Sequence, residues 1–270
     1  MMGFSVLMSV YKKEKPEYLA MALESVINQT LQADEIVLIR DGLLTYELER
    51  VIQEFEAKCS CLRLYSFEEN VQLGRALKKG VEICSNELIA RMDTDDIALP
   101  DRFQKQYEYM LQHPEISVLG GWMEEFNDDG TYSRLKRMPE VNEDIRIYGR
   151  YRNPVNHMTV MFRKKDVLAA GNYRHFPYLE DYDLWCRMLA QGMMFHNLPA
   201  TLVKMRNNNN VYERRGGFSY FRGYAKLRKI QREIGLLNRR EYAIALLLTV
   251  GVTLQPAFLR KIIYQKILRK

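Results

Sequence analysis

The chain has 270 residues, of which 47% are hydrophobic, and a chain of this size and composition can bury one large α/β core. Its composition excludes extensive disorder, and its four cysteines lack the paired CxxC spacing of a zinc site and are too few for a disulfide framework. We therefore expect a protein of the reducing cytoplasm, and the first residues carry no basic leader or cleavable apolar segment that would argue for export.

The net charge of +6 is unevenly distributed along the chain. Residues 211–270 contain 14 basic and three acidic residues, a net charge of +11, whereas residues 1–210 contain 26 basic and 31 acidic residues, a net charge of −5. A mildly acidic body thus carries a strongly basic C-terminal segment. This asymmetry favours a polyanion or an anionic membrane surface as a partner.

The first hundred residues alternate short β-branched runs with longer helical patterns, which predicts repeated βα units on a mostly parallel sheet. The predicted strands are residues 5–10, 35–40, 62–66 and 88–92, and the helices between them are residues 18–29, 46–58 and 73–84. A polar segment follows each strand. Because ligands of open parallel sheets bind beyond the carboxyl ends of the strands, we expect these segments to form one site.

The most informative polar segment is Asp93-Thr94-Asp95-Asp96, which follows the apolar run at residues 87–92. Carboxylates crowded at the end of a buried strand repel one another and resist desolvation unless a hard cation compensates them. The segment therefore predicts a metal site that holds a phosphorylated ligand. The alternative for Asp96 and Asp101 is a role as caps of the following helix.

The pattern changes after residue 100. We predict a helix at residues 101–113, a hairpin or a bulged extension of the sheet at 116–138 with a turn at 127–130, and a helix from 179 to 191. Strands at 193–196 and 202–205 and a loop at 207–210 are predicted to follow. The acidic residues at the start of the second helix suit a helix N-terminus.

The basic segment from Gly217 onward interleaves aromatic and aliphatic residues with Lys and Arg, which indicates an amphipathic basic helix. The apolar run at residues 242–254 is well short of the roughly 20 residues that span a bilayer. Residues 259–270 again alternate apolar and basic side chains. We predict that this segment lies on a membrane; the alternative is that it packs on the domain with its basic face in solvent.

Several ordered motifs of the chain resemble those of the inverting glycosyltransferases of family 2. The matching segments are residues 5–11, 25–30, 34–42, 70–80, Asp93-Thr94-Asp95-Asp96 with Pro100-Asp101-Arg102, and Glu180-Asp181-Tyr182-Asp183-Leu184-Trp185, and they cover residues 4–206. The resemblance implies an α/β protein of the GT-A (Rossmann-like) type, with a mostly parallel sheet flanked by helices. The implied catalytic domain is 1–210, with a nucleotide-binding half of about 1–100 and an acceptor half of about 101–210, and a helical membrane-associating extension follows at 211–270.

The resemblance also implies roles for the polar residues at the strand ends. Asp95 and Asp93 would bind Mn²⁺ or Mg²⁺ and the nucleotide diphosphate, with Asp93 facing the ribose. Tyr11 would stack on the uracil ring and Asp41 would accept its imide proton. The alternatives are core-edge packing for Tyr11 and an ordinary Asp-Gly turn at Asp41. Further nucleotide contacts are implied for Ser9, Asn70 and Arg75.

On the acceptor side, the resemblance assigns the general base to Asp181, which would take the proton of the acceptor hydroxyl while Glu180 orients it. Trp185 would stack on an acceptor sugar, and His157 matches a position near the donor sugar. The alternatives are helix capping for Asp181, a core position for Trp185 and a structural hydrogen bond for His157. Relatives often carry Arg-x-His where this chain has Arg206-Asn207-Asn208.

The predicted function is inverting, metal-dependent transfer of a sugar from a UDP-sugar to a lipid-linked oligosaccharide in bacterial capsule, exopolysaccharide or O-antigen assembly. We expect the enzyme to lie peripherally on the inner face of the plasma membrane through residues 217–270, with no nucleic-acid partner. One alternative is a nucleotidyltransferase, although residues 9–13 are not the glycine-rich loop that it would need. The other is a non-catalytic membrane- or nucleic-acid-binding module that uses the basic segment.

Overall fold

One sheet forms the centre of the molecule in a computed structural model that describes residues 3–207, 217–253 and 255. In chain order, its strands are β1 (Phe4–Val10), β2 (Glu35–Arg40), β3 (Leu62–Ser66), β4 (Leu88–Arg91), β5 (Ile97–Ala98), β6 (Ile116–Phe126), β7 (Ser133–Lys136), β8 (Met161–Arg163) and β9 (Met194–Arg206). The α-helices of the described residues are α1 (Pro16–Ile27), α2 (Tyr46–Lys58), α3 (Leu73–Ile83), α4 (Arg102–Gln112), α5 (Asn142–Gly149), α6 (Lys164–Ala169), α7 (Glu180–Ala190), α8 (Phe218–Glu233) and α9 (Arg239–Thr253).

The strands lie in the order β3-β2-β1-β4-β8-β6-β9-β5, and β7 pairs with β6 outside this path. Strands β3, β2, β1 and β4 are mutually parallel, so their carboxyl ends meet at one edge. Strand β8 is antiparallel to β4 and β6, while β9 is parallel to β6 and antiparallel to β5. The predicted parallel arrangement is thus confirmed for the first four strands, and the second half of the sheet is mixed.

Alternating side chains of β1 supply both hydrophobic layers of the molecule. Leu7 belongs to the cluster that includes α3, α7 and α8, whereas Val6 and Met8 belong to the cluster beneath α1, α2 and α4. At Gly80 of α3, an added Cβ would lie only 2.2 Å from Cδ1 of Leu7, so glycine allows the helix to pack directly on the strand. Helices covering both faces in this way hold the strand ends in fixed positions.

The elements predicted in the first hundred residues occur with boundaries within two residues of those expected, and β6 and β7 form the predicted hairpin. The prediction of separate strands at 193–196 and 202–205 is wrong, because β9 runs through both. Pro199 interrupts the apolar pattern of the sequence. The strand accommodates it as a bulge, with a register shift between the pairs Gly121–Leu198 and Trp122–Thr201.

Within residues 217–253, the basic C-terminal segment forms two helices, α8 and α9, that pack on one another. Leu227 of α8 is completely buried in the cluster that also contains Trp185, so this helix packs on the domain through its apolar side. Contact of the segment with a membrane stays a prediction. Helix α9 covers most of the apolar run predicted at 242–254. Across residues 3–207 and 217–253, no helix combines the length and apolarity needed to cross a bilayer. Predictions for residues 208–210 and 259–270 lie outside the described residues.

Candidate active site

Backbone and side-chain hydrogen bonds join the carboxyl ends of β1, β2 and β4. The amide of Asp41 donates to the carbonyl of Val10 at 2.8 Å. The hydroxyl of Thr94 donates to the Ser9 carbonyl at 3.4 Å and to the Glu14 carboxylate at 2.9 Å. The segments after three different strands therefore form one surface, as the parallel topology requires.

The Asp41 carboxylate ties the end of β2 to the segment after β3. One of its oxygens accepts a hydrogen bond from the Asn70 amide at 2.9 Å, and the other accepts from the backbone of Val71 at 2.6 Å. Gly42 has a φ of +86°, and an added Cβ would lie 2.7 Å from the Asn70 nitrogen. Burial raises the pKa of Asp41. Asp41 thus organises the loop, and its remaining lone pairs are what a nucleobase could use.

Two further residues with a predicted nucleotide role present accessible side chains at this edge. Tyr11 is 41% exposed, and Arg75 lies exposed in the first turn of α3. An exposed aromatic ring and an exposed guanidinium provide stacking and charge pairing, respectively. The structure is compatible with both predictions, which stay predictions.

Asp93, Asp95 and Asp96 form a compact carboxylate cluster after β4, with one oxygen from each lying within 4.8 Å of the others. Burial, followed by the charge of Asp93, raises the pKa of Asp95 to about 7. Burial and the charges of Asp95 and Asp93 also raise the pKa of Asp96. One buried Asp96 oxygen has no hydrogen-bond partner among the described residues. Hard oxygen ligands crowded in this way fit a divalent cation, which would relieve their mutual repulsion.

Arg206, at the end of β9, fixes the acidic segment from behind. Its backbone amide donates to Asp96 at 2.9 Å and its Nε donates to the Asp95 carbonyl at 3.1 Å. Its guanidinium pairs with Asp128 and lies 4.0 Å from the ring centroid of Tyr18. Arg206 therefore links the segment that contains Asp95 and Asp96 to β9 and to the hairpin turn at Asp128. This role was not predicted from the sequence.

Arg91 is a buried cation that acts on Asp93 of the carboxylate cluster and on the acid pair Glu180 and Asp181. This role was not predicted from the sequence. Its guanidinium forms an ion pair with Asp93. Its charge also lowers the pKa values of Glu180 and Asp181 against the stronger opposing effect of burial. A signal was present in the sequence, because an arginine inside the apolar run of β4 must find an acidic partner when buried.

Asp181 lies in the first turn of α7 and is held by hydrogen bonds from two sides. Nδ2 of Asn153 donates to one carboxylate oxygen at 2.5 Å, and the backbone amide of Tyr182 donates to the other at 2.7 Å. Burial raises the pKa of Asp181, and these two bonds oppose the rise. The pKa of Glu180 is raised to about 7 by burial and by the charge of Asp181. The pair can therefore combine an ionised carboxylate, which can act as a base, with a carboxyl group that holds a proton near neutral pH.

Asn153→Ala should move the acid limb of the pH–rate profile upward. A raised pKa means that the ionised, basic form of Asp181 is lost as pH falls through that value. Removing a hydrogen bond to the ionised form raises the pKa further, because that bond stabilises the charged carboxylate. The pH dependence of kcat/KM checks this. An acid limb that stays in place or moves to lower pH would contradict the assignment.

Trp185 lies in the core beside Tyr173, and the half-buried ring of His157 contacts both of them. The Nε2 atom of His157 is 2.9 Å from the Tyr173 hydroxyl, and burial together with the charge of Arg91 lowers the pKa of His157, which keeps the ring neutral. Trp185 is 0% exposed and packs edge-on against His157, Tyr173 and Phe195. The prediction that Trp185 stacks on an acceptor sugar is therefore wrong, because its hydrophobic spacing on α7 places the ring in the core.

The parallel half of the sheet, the carboxylate cluster at its edge and the separate acid pair fit a glycosyltransferase, and comparison with known proteins shows the family. Residues 5–169 match the model described as "Glycosyl transferase family 2", and the chain belongs to this family. This membership decides for glycosyl transfer over the nucleotidyl transfer and non-catalytic binding left open by the sequence.

Two curated relatives extend along nearly the whole chain. One is the "Amylovoran biosynthesis glycosyltransferase AmsE" of Erwinia amylovora, 41% identical over 97% of this chain and 98% of its own. Another is the "UDP-Gal:alpha-D-GlcNAc-diphosphoundecaprenol beta-1,3-galactosyltransferase" of Escherichia coli, 33% identical over 99% of this chain and 97% of its own. Among solved structures, S. aureus TarS 1-349 in complex with UDP-GlcNAc superposes with a TM-score of 0.71 at 14% identity, covering 98% of this chain and 76% of that one. The last likeness establishes the GT-A type of fold.

Proposed function

We propose that this protein transfers a sugar from a UDP-sugar, with inversion, to a lipid-linked oligosaccharide during assembly of a bacterial capsule, exopolysaccharide or O-antigen. The observation that carries the proposal is a pair of carboxylate sites that the fold holds in place: the cluster of Asp93, Asp95 and Asp96 after β4, and Asp181 at the start of α7, which accepts hydrogen bonds from Asn153 and the amide of Tyr182. The name of the Erwinia amylovora relative, which refers to amylovoran biosynthesis, supports polysaccharide assembly. The name of the Escherichia coli relative includes a UDP-sugar and a diphosphate-linked lipid, which supports the proposed donor and acceptor.

On the donor side, Asp95 and Asp93 would hold Mn²⁺ or Mg²⁺, and the exposed rings and amides after β1, β2 and β3 would bind the nucleotide. A bound divalent cation supplies positive charge that stabilises the diphosphate as it departs. Arg91 holds Asp93 by an ion pair. Arg206 donates hydrogen bonds to the Asp96 carboxylate and to the backbone carbonyl of Asp95. The cluster is therefore positioned before the ligand arrives.

On the acceptor side, Asp181 would accept the proton of the attacking hydroxyl. The acceptor oxygen forms its bond to the anomeric carbon as the bond to the diphosphate oxygen breaks, and UDP leaves with that electron pair. Attack from the face opposite the nucleotide inverts the configuration. Asn153 and the amide of Tyr182 keep the carboxylate oriented for this transfer.

An acceptor embedded in a bilayer requires the enzyme to reach a membrane surface, and α9 offers the chemistry for it. Ala245, Thr249 and Thr253 form its buried stripe, and the opposite side of this apolar helix is exposed. Its exposed apolar residues are Ile244, Leu247, Leu248 and Val250. The exposed Arg239 and Arg240 begin the helix. Basic residues beside an apolar face favour an anionic lipid surface on the inner face of the plasma membrane.

The double variant Leu247→Asn/Leu248→Asn should weaken binding to phosphatidylglycerol vesicles by at least about tenfold. These two side chains are 71% and 54% exposed, and withdrawing their apolar groups from lipid costs roughly 2–3 kcal/mol in total. Vesicle co-sedimentation measures the effect. A matched control, Leu111→Asn/Leu168→Asn, removes two exposed leucines from other helices and should bind like the unmodified protein. Equal binding by both double variants would exclude α9 as the membrane-contacting surface.

The donor is tested by a screen that measures release of free nucleotide. UDP-galactose, UDP-glucose, UDP-GlcNAc, GDP-mannose and dTDP-glucose are incubated with the protein, Mn²⁺ and a short-chain GlcNAc-diphospho-lipid. We expect release of UDP from one or more of the UDP-sugars, stimulated by the lipid. Turnover confined to GDP-mannose or dTDP-glucose would overturn the assignment of uracil as the nucleobase of the donor.

A further inference from the structure

Arg228 of α8 is a buried arginine that lies behind the acceptor acid pair. It is 3% exposed, although it belongs to a helix whose neighbouring lysine, Lys229, is exposed. Its Nη1 atom donates to the hydroxyl of Tyr182 at 3.1 Å. Tyr182 directly follows Asp181 on α7, and its backbone amide is the one that donates to the Asp181 carboxylate.

The same guanidinium also holds the segment that leads to Asn153. Nη1 donates to the carbonyl of Arg150 at 2.9 Å and Nη2 donates to the carbonyl of Tyr151 at 2.7 Å. Two residues later, Nδ2 of Asn153 donates to Asp181. Arg228 therefore contacts both of the segments that donate hydrogen bonds to the carboxylate, one through Tyr182 and one through residues 150–151.

Two further side chains of the C-terminal helices reinforce this arrangement. Gln231, one turn after Arg228, donates to the carbonyl of Gly149 at 3.2 Å, and Tyr182 donates to the same carbonyl at 2.9 Å. Glu241 of α9 forms an ion pair with Arg150 at 2.6 Å. The segment at 149–153, which continues from the last turn of α5, is thus also attached to α8 and α9 at several points.

We propose that Arg228 is a positioning residue for Asp181, so that α8 forms part of the acceptor half of the active site. This proposal rests on the proposed function, in which Asp181 is the general base. The guanidinium keeps Asn153 and the amide of Tyr182 aimed at the carboxylate. A planar cation with several donors suits the task, because it can bind two carbonyls and a hydroxyl at once.

The hydrogen bonds that Arg228 maintains affect the protonation of Asp181, so the pH profile reports on them. The other charged or titratable groups around this site include Arg91 from β4, Asp93 just after β4, Glu180 from α7 and Tyr173 from the segment before α7. None of these four depends on Arg228 for a hydrogen bond. Loss of Arg228 should therefore change the profile in the same direction as loss of the Asn153 amide.

The test compares Arg228→Met with Lys229→Met, a matched change one residue away on the exposed face of the helix. Transfer is measured with the most active of UDP-galactose, UDP-glucose and UDP-GlcNAc, Mn²⁺ and a short-chain GlcNAc-diphospho-lipid. For Arg228→Met we expect kcat to fall about tenfold or more, with KM for the donor within about twofold of normal. The acid limb should move to higher pH, as in Asn153→Ala. Arg228→Lys should lie between, and Lys229→Met should behave like the unmodified protein.

Glu241→Gln provides a second route if Arg228→Met fails to fold, as judged by loss of UDP binding. It loosens the same segment through Arg150 and should shift the acid limb in the same direction by a smaller amount. A folded Arg228→Met or Glu241→Gln protein with normal kcat and an unmoved acid limb would overturn the positioning role, and the proposed function would stand. If Asp181→Asn turns over like the unmodified enzyme in the same assay, the base assignment fails, and the positioning role fails with it.

Discussion

Asp181→Asn should lower kcat for sugar transfer by about 10²–10⁴-fold, the range that a general base contributes. The amide is nearly isosteric but cannot accept the acceptor proton. Asn153 and the Tyr182 amide lie around this position and should keep the replaced side chain in place. UDP affinity should remain within about twofold of normal, because Asp181 is on the acceptor side. Steady-state kinetics and calorimetry with UDP and Mn²⁺ measure the two quantities.

Asp144→Asn is the matched control for this prediction. It also removes an acid from the first turn of a helix, α5, but Asp144 is exposed on the surface. Its turnover should be normal. If Asp181→Asn retained near-normal transfer while binding UDP, the base would have to be another group, and Glu180 would be the first to examine.

Asp95→Asn should abolish metal-dependent binding of UDP, lowering affinity in the presence of Mn²⁺ by more than about tenfold. A hard divalent cation prefers charged oxygen ligands, and this substitution removes a carboxylate from the cluster with Asp93 and Asp96. Transfer should fall at least in proportion. The control is Asp101→Asn, because Asp101 pairs with Lys105 on the surface and lies outside the cluster. Unchanged Mn²⁺ dependence of UDP binding in Asp95→Asn would contradict the metal assignment.

Asp95→Asn should also make the metal-free protein more stable. The pKa of Asp95 is about 7 in the folded protein, above its ordinary value of 3.8. The folded state therefore loses stability as pH rises from about 4 through 7, because ionisation is less favourable there than in the unfolded chain. Asn removes this penalty. A thermal melt near pH 8 without metal should show Tm raised by a few degrees. A lowered Tm would indicate that repulsion among the ionised carboxylates does not destabilise the folded protein.

The donor half of the site follows from local sequence patterns. Short β-branched runs define the parallel strands, and polar residues after each run must then meet at one edge, which locates Ser9, Asp41 and Asp95. The hydrogen bonds between Thr94 and Ser9 and between Asn70 and Asp41 join residues far apart in the chain. Periodicity predicts that such segments meet, and it does not predict which atoms bond.

The acceptor half depends on tertiary packing, and the predictions there were less complete. The acidic start of α7 was visible in the sequence, but the direction of each side chain on that helix was not. Trp185 points into the core, where His157 and Tyr173 surround it. Arg91 pairs with Asp93 only two residues along the chain, and its place inside an apolar run was the signal for that pairing. Arg228 is a buried cation whose partners lie in distant segments, so its role could not be assigned from neighbouring residues. The basic C-terminal segment shows the same effect, since burial of Leu227 and Arg228 packs part of an apparent surface helix against the domain.

The central claim is that Asp95 serves the donor and Asp181 serves the acceptor. Calorimetric titration of UDP into the unmodified protein, Asp95→Asn and Asp181→Asn, each with and without Mn²⁺, tests this most directly. We predict that UDP binds the unmodified protein and Asp181→Asn with similar affinity in Mn²⁺, and that Asp95→Asn and the metal-free samples bind far more weakly. UDP binding that is lost in Asp181→Asn, or retained in full by Asp95→Asn, would contradict the division of the site.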